Sequence, residues 1–177
     1  MGWKLNHERL QKVVERLLSL TQFNEPPVPI EQIAERRGIP VRFVPYEGSL
    51  SGLLIWEGNR PVIGVNALHE KHRQRFAIAH ELAHIELRHY TGIHIDRAFP
   101  FPLALQQTSG KIAPVEFEAS IVACELLIPA SILAADLAEK SIDYLDETGI
   151  ASLARRYAVS VHTMLLRLLH THLFPVA

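Results

Sequence analysis

The chemistry of this chain concentrates in His80-Glu81-Leu82-Ala83-His84. Two histidines four apart stand one above the other on one face of a helix with 3.6 residues per turn. Imidazoles so placed can bind one tetrahedral zinc. Glu81 lies one residue off that face, too far round to ligate easily. It can reach a water at the metal and take its proton. The spacing therefore predicts a hydrolytic Zn2+ site rather than a metal site alone.

The chain has 10 histidines in 177 residues, which raises the frequency of chance matches, so the flanks decide. Phe76, Ile78, Ala79, Leu82, Ala83, Ile85 and Leu87 cover most of the helix surface around the motif. A helix that is apolar nearly all round is buried. Two histidines and a glutamate inside it are costly unless something satisfies them, and a zinc ion does so.

The elements that must position this helix follow from the rest of the chain. Residues 6–20 read as an amphipathic helix, with Asn6 as N-cap and Leu10, Val13, Val14, Leu17 and Leu18 as its stripe. A turn at 25–29 leads into a short helix from Ile30 to Arg37, stopped by Gly38. Three strands are predicted next, over 39–46, 50–56 and 61–66, the last two as a hairpin. Pro61 opens the third strand and suggests an edge position. The His80–His84 helix is predicted over roughly 68–88. A long connection broken by Gly and Pro spans 89–114, and long connections of this kind are usually lids or binding loops. Helices follow over 115–128 and 130–140, then a pair over 148–157 and 161–172. The expected fold is α+β: a small, three-stranded, antiparallel-type sheet packed on helices, with residues 1–140 as the main unit and 141–177 as a helical appendage packed on it.

The bulk numbers narrow the function. Hydrophobic residues make up 48% of the chain, ample for a core, and the net charge is −1 with a pI near 6.8. That gives no support for broad electrostatic binding to nucleic acid. Cys124 is the single cysteine, which excludes an internal disulfide and any multi-cysteine metal site. No apolar run is long enough to span a bilayer, and the first residues lack the apolar core of a signal peptide. A cytoplasmic setting is expected, with no membrane partner.

A hydrolytic zinc site needs three protein ligands and an open position. In one zincin class the third ligand is a glutamate on a later helix in a Glu-x-x-Ala pattern, and this chain offers Glu116-Phe117-Glu118-Ala119. The ordered set becomes specific here. It comprises Pro27-Val28-Pro29-Ile30-Glu31-Gln32-Ile33-Ala34, Gly38-Ile39-Pro40-Val41, Ser51-Gly52 and Ile63-Gly64-Val65-Asn66. It continues with Arg75-Phe76-Ala77-Ile78-Ala79-His80-Glu81, Glu116-x-x-Ala119 and Leu126-Leu127-Ile128-Pro129. It resembles the ImmA/IrrE family of metallopeptidases over about residues 26–130, and more weakly at the C-terminus.

The resemblance implies a zinc-dependent, gluzincin-like endopeptidase of zincin-like fold. His80, His84 and Glu116 would be its ligands and Glu81 its base. The partner it implies is a protein substrate, a helix-turn-helix repressor of a mobile element or stress response. The family's usual Asn or Asp four residues after the ligand glutamate is Ser120 here. Such a group orients a ligand histidine from behind, so a lower zinc affinity or activity is expected. The other reading is a transcriptional regulator or partner-binding protein that keeps the zinc site without proteolysis. A purely structural zinc does not need Glu81, which favours the enzyme.

The choice between Glu116 and Glu118 can also be made on helix geometry. Two residues apart, they point about 200° from each other. Ala119, Ser120 and Ala123 share the face of Glu116, whereas Ile121 and Val122 share that of Glu118. A strip of small residues permits the close helix approach that a shared metal demands, and Ala83 adds to it from the other side. Glu118 is then expected behind the ligands or at the surface. Tyr46, His89, Tyr90 and His94 are candidates for the oxyanion donor, and neither His89 nor His94 is expected on the zinc. Residues 153–169 resemble a helix-turn-helix whose turn position is Ala158. Its second helix is mostly apolar, with His162, Thr163 and Arg167 as its obvious polar contacts in that run. Specific DNA binding is therefore not expected.

Overall fold

The computed structural model describes residues 5–96, 113–140 and 147–173. In chain order the elements are α1 (His7–Leu18), α2 (Ile30–Arg36), β1 (Val41–Val44), β2 (Gly52–Glu57), β3 (Arg60–Asn66) and α3 (Lys71–Leu87). They continue with β4 (Ile93–Asp96), α4 (Pro114–Leu127), α5 (Ala130–Lys140), α6 (Glu147–Tyr157) and α7 (Val161–Leu173). The fold is mixed α+β, with seven helices and one four-stranded sheet among the described residues.

Local chemistry accounts for the helix ends. The Asn6 side-chain oxygen accepts the Arg9 amide at 3.0 Å and starts α1, which buries Leu10, Val13, Val14 and Leu17. After α2 the Gly38 amide donates to Glu35 and the Ile39 amide to Ala34, with Gly38 at φ +72°. This paired closure needs a left-handed residue, and glycine takes that conformation without a Cβ penalty. The same closure ends α3 and α6, but there the left-handed residues are Arg88 (φ 56°) and Ala158 (φ 51°).

The sheet differs from the sequence expectation in two ways. It has four strands, in the order β1-β3-β2-β4. β4 falls inside the connection at 89–114, where the four-residue alternation Ile93-His94-Ile95-Asp96 is too short to stand out; residues 97–112 lie outside the described part. β3 is also not an edge. It pairs in parallel with β1 and antiparallel with β2. Pro61 is tolerated because its missing N–H falls on the β1 side. Ile63 donates to Pro40 on that side, and β1 pairing begins only at Val41 opposite Ile63.

α3 lies between the sheet and α4. Twelve of its 17 residues are buried, and they include His80, Glu81 and His84. Buried Asn66 sets the link from β3: its side chain bonds Tyr46, Leu50 and Leu68 backbone groups. Gln74 donates to the carbonyls of Asn66, Ala67 and His69 and ties the start of α3 to the same link. At its far end Glu86 takes Arg16 and Arg37, and the Leu87 carbonyl accepts Arg9 at 2.6 Å. Cations at these C-terminal carbonyls and acids oppose the negative end of the helix dipole. α7 is held to α4 by buried Arg167, which donates to the Ile128 carbonyl at 3.0 Å and reaches Glu125 at 3.2 Å.

Candidate metal centre

The sequence-predicted ligands converge. His80 Nε2 and His84 Nε2 on α3 are 2.9 Å apart, and Glu116 Oε2 on the first turn of α4 lies 3.2 Å and 3.5 Å from them. A tetrahedral ion at roughly 2.0–2.2 Å from each ligand sets the ligand atoms roughly 3.3–3.6 Å apart, close to the separations observed. Two imidazole nitrogens and a carboxylate oxygen aimed at one point form a donor set that suits a borderline cation such as zinc. The helices can approach because Ala83, Ala119 and Ala123 are fully buried between them. The histidine side chains are 1% and 0% exposed while that of Glu116 is 27% exposed, so the site opens on the Glu116 side.

Electrostatics set the protonation states that metal binding requires. Burial pushes the His80 and His84 pKa values below the ordinary 6.5, against the pull of Glu116. Burial acts to raise the Glu116 carboxyl. His80, His84 and Tyr90, all close to its oxygens, outweigh it and hold the group well below the usual carboxylate range. At neutral pH the set is two neutral imidazoles and one carboxylate.

Glu81 is fully buried and packs on the first residue of β2. A Cβ added to Gly52 would meet Glu81 Oε1 at 2.7 Å. A side chain at this position would displace the Glu81 carboxylate, so the bare backbone of Gly52 forms one wall of the Glu81 pocket.

The four candidate oxyanion donors separate clearly. Tyr46 lies over Gly64, whose position alternates with the α3-facing residues of β3, so Tyr46 is on the far face of the sheet. Tyr90 and His94 do reach the site. The Tyr90 hydroxyl donates to Glu116 Oε1 at 2.6 Å, and its ring stacks on His94 at 4.0 Å with a 9° interplanar angle. His94 Nε2 is 3.6 Å from Glu116 Oε1, and His94 pairs with Leu54, on the face of the sheet toward α3. His89 is not a loop residue open to substrate. Its side chain is 4% exposed and lies between His84 and Glu118. Sequence reasoning missed the His89–Glu118 pair and the part played by Gly52. A histidine at the helix stop, five residues after His84, was the available signal for the first.

Residues 34–169 match the sequence profile of the IrrE N-terminal-like domain, a peptidase family. The chain belongs to this IrrE-like family. The matched stretch runs from α2 into α7. No curated protein matches significantly. Among solved structures, a Mycobacterium tuberculosis transcriptional regulator superimposes with a TM-score of 0.54 at 15% identity. The match covers 96% of this chain and 49% of that one, so the chain spans about half the length of the regulator. That likeness is one of fold. Among the described residues of this IrrE-like chain, no single helix is long and apolar enough to cross a membrane.

Proposed function

We propose that this chain is a zinc-dependent endopeptidase of zincin-like, gluzincin type that cleaves a regulatory protein. The family resemblance makes a helix-turn-helix repressor the substrate class. The observation that carries the reading is the convergence of His80, His84 and Glu116 within 4.8 Å of one another, with Glu81 buried on the adjacent position of the same helix.

His80, His84 and Glu116 would hold the ion, which when bound acidifies a water and polarises a carbonyl. Glu81 accepts the proton of the attacking water and returns it to the leaving amine. Gly52 fixes where the Glu81 carboxylate can stand. His94 supplies a donor to the substrate carbonyl oxygen, and Tyr90, whose hydroxyl is committed to Glu116 Oε1, stacks on the His94 ring and orients it. Burial lowers the His94 pKa, so the ring is neutral at pH 7 and offers one N–H. The sheet order sets the substrate's route. β3 is interior, whereas among the described residues β4 is an edge strand, and it carries His94 to the site. An extended peptide adds to β4 by backbone hydrogen bonds.

Residues 1–140 form the catalytic unit in this reading and 141–177 a helical appendage that docks on it through Arg167. Buried Arg167 and the Ser160–Thr163 hydrogen bond at 2.8 Å use two of the three side chains that would read DNA. Sequence-specific DNA binding is therefore not part of the proposal. A cytoplasmic setting suits buried Cys124, whose thiol burial pushes up to about 12. The regulator reading without proteolysis draws on the fold shared with the mycobacterial regulator. The two separate at Glu81. Incubation of the purified protein and zinc with a repressor encoded beside it, read on a gel, yields discrete fragments from the enzyme and none from a pure regulator.

A further inference from the structure

His84 is gripped at both ring nitrogens. Its Nε2 faces His80 and Glu116. Its Nδ1 lies 3.0 Å from His89 Nδ1, and His89 Nε2 lies 3.1 Å from Glu118 Oε2. Arg9 Nη1 stands 3.7 Å from the same Glu118 oxygen, and Arg9 Nη2 donates to the Leu87 carbonyl at the end of α3. We propose that Glu118 and His89 form a positioning relay that fixes the tautomer and orientation of His84. The relay rests on the reading of His80, His84 and Glu116 as metal ligands.

The direction of every hydrogen bond follows from one end. Glu118 is a carboxylate beside a guanidinium, so it accepts only. His89 Nε2 must therefore carry the hydrogen. A neutral His89 then presents a bare Nδ1, which accepts. His84 Nδ1 must donate to it, and His84 Nε2 is left with a lone pair aimed at the site. The opposite arrangement would place a proton on His84 Nε2, where a ligand lone pair is needed. A cationic His89 would force that same opposite arrangement, because its Nδ1–H would then point at His84 Nδ1, 3.0 Å away.

The backbone explains why His89 can serve. α3 ends in the left-handed residue Arg88, and the His89 amide donates to the His84 carbonyl at 3.0 Å. That turn folds His89 back over the helix end and onto His84. α4 then supplies both carboxylates. Glu116 meets Nε2 of His84 directly, and Glu118, about 200° further round the helix, meets Nδ1 through His89. Ser120 stands where the family's Asn or Asp is usual, and helix geometry left Glu118 either behind the ligands or at the surface. The relay supplies a backing carboxylate from another position on the same helix.

Groups that hold a ligand histidine from behind typically change metal affinity by about 10–100-fold. The test is zinc affinity of the full chain, measured by competition with a chromogenic chelator, and the absorption spectrum of the cobalt-substituted protein. Glu118→Leu and His89→Phe should each bind one zinc with about 10–100-fold lower affinity and shift the cobalt bands. Glu118→Gln keeps a carbonyl acceptor and should lose less. Because a variant can fail to fold, nitrogen-15 spectra of zinc-loaded wild type provide a second readout. His89 should be neutral with its hydrogen on Nε2. A hydrogen on His89 Nδ1, a cationic His89, or unchanged affinity in both disrupted variants would overturn the relay and leave the metal site standing. Wild type that binds no zinc would overturn the metal-site reading itself.

Discussion

Substitution of Gly52 by Ala isolates the placement of the base from its chemistry. The new Cβ would sit 2.7 Å from Glu81 Oε1, 3.4 Å from its Cγ and 3.5 Å from its Cδ. Carbon and oxygen do not approach closer than roughly 3.2–3.5 Å without a hydrogen bond, and C–C contacts are optimal at about 3.5–4.0 Å. The carboxylate must therefore withdraw by about 0.5–0.8 Å, and it is fully buried, with no solvent to move into. A misplacement of about 1 Å costs on the order of 100-fold in rate, so kcat should fall about 10–100-fold. The backbone at Gly52 is not left-handed, and Gly→Ala in a strand interior gains about 0.5–1 kcal/mol, which offsets part of the crowding. The melting temperature should therefore stay within a few degrees and zinc stoichiometry should stay at one. Cleavage rates on the repressor substrate, a thermal melt and metal analysis test the three points together. Wild-type kcat in a folded, zinc-loaded Gly52→Ala protein would refute the placement of Glu81 against β2.

Three further outcomes are expected. Glu116→Gln should lose zinc and cleavage together after dialysis against a mild chelator; a His94→Ala variant that empties the site while Glu116→Gln keeps it would mark a different ligand set. The metal-free protein should lose stability as the pH falls from about 6.5 to about 4. In that window the unfolded chain protonates a histidine that the fold keeps neutral, His89 with its pKa near 4. His80, His84 and His94 shift in the same direction, so chemical denaturation of apo protein at pH 7 and pH 5 checks the sign, and equal stability at both would contradict it. Ala158→Gly should stabilise the chain by about 1 kcal/mol, because Ala158 sits at φ 51° where a Cβ is strained; an unchanged or lowered denaturation midpoint would mean that the α6–α7 turn carries no such strain.

The parts of the fold legible in the sequence are those with long, regular patterns. The stripe of α1, the hairpin of β2 and β3, and the uniformly apolar flanks of α3 each extend over enough residues to fix element and face. The Glu116 face could be chosen because small residues recur along α4 at helical spacing. The sheet order was not legible. Pro61 suggested an edge because its missing donor points to the β1 side, and only the register shows that β1 has not yet begun there. β4 was hidden by its length. The roles of His89 and Glu118 depend on a left-handed turn at Arg88, and nothing in an arginine announces that conformation. Gly52 stood in a quoted pattern without a role, because the side chain it makes room for comes from Glu81, on another element 29 positions later.

The most direct test of the central claim is Glu81→Gln. Glu81 stands beside the ligand set without belonging to it, so the variant should retain one zinc per chain by metal analysis and give no repressor fragments on a gel where wild type gives them. A variant that binds zinc and still cleaves at the wild-type rate, or one that loses the metal, would contradict the assignment of Glu81 as the base of a zinc endopeptidase.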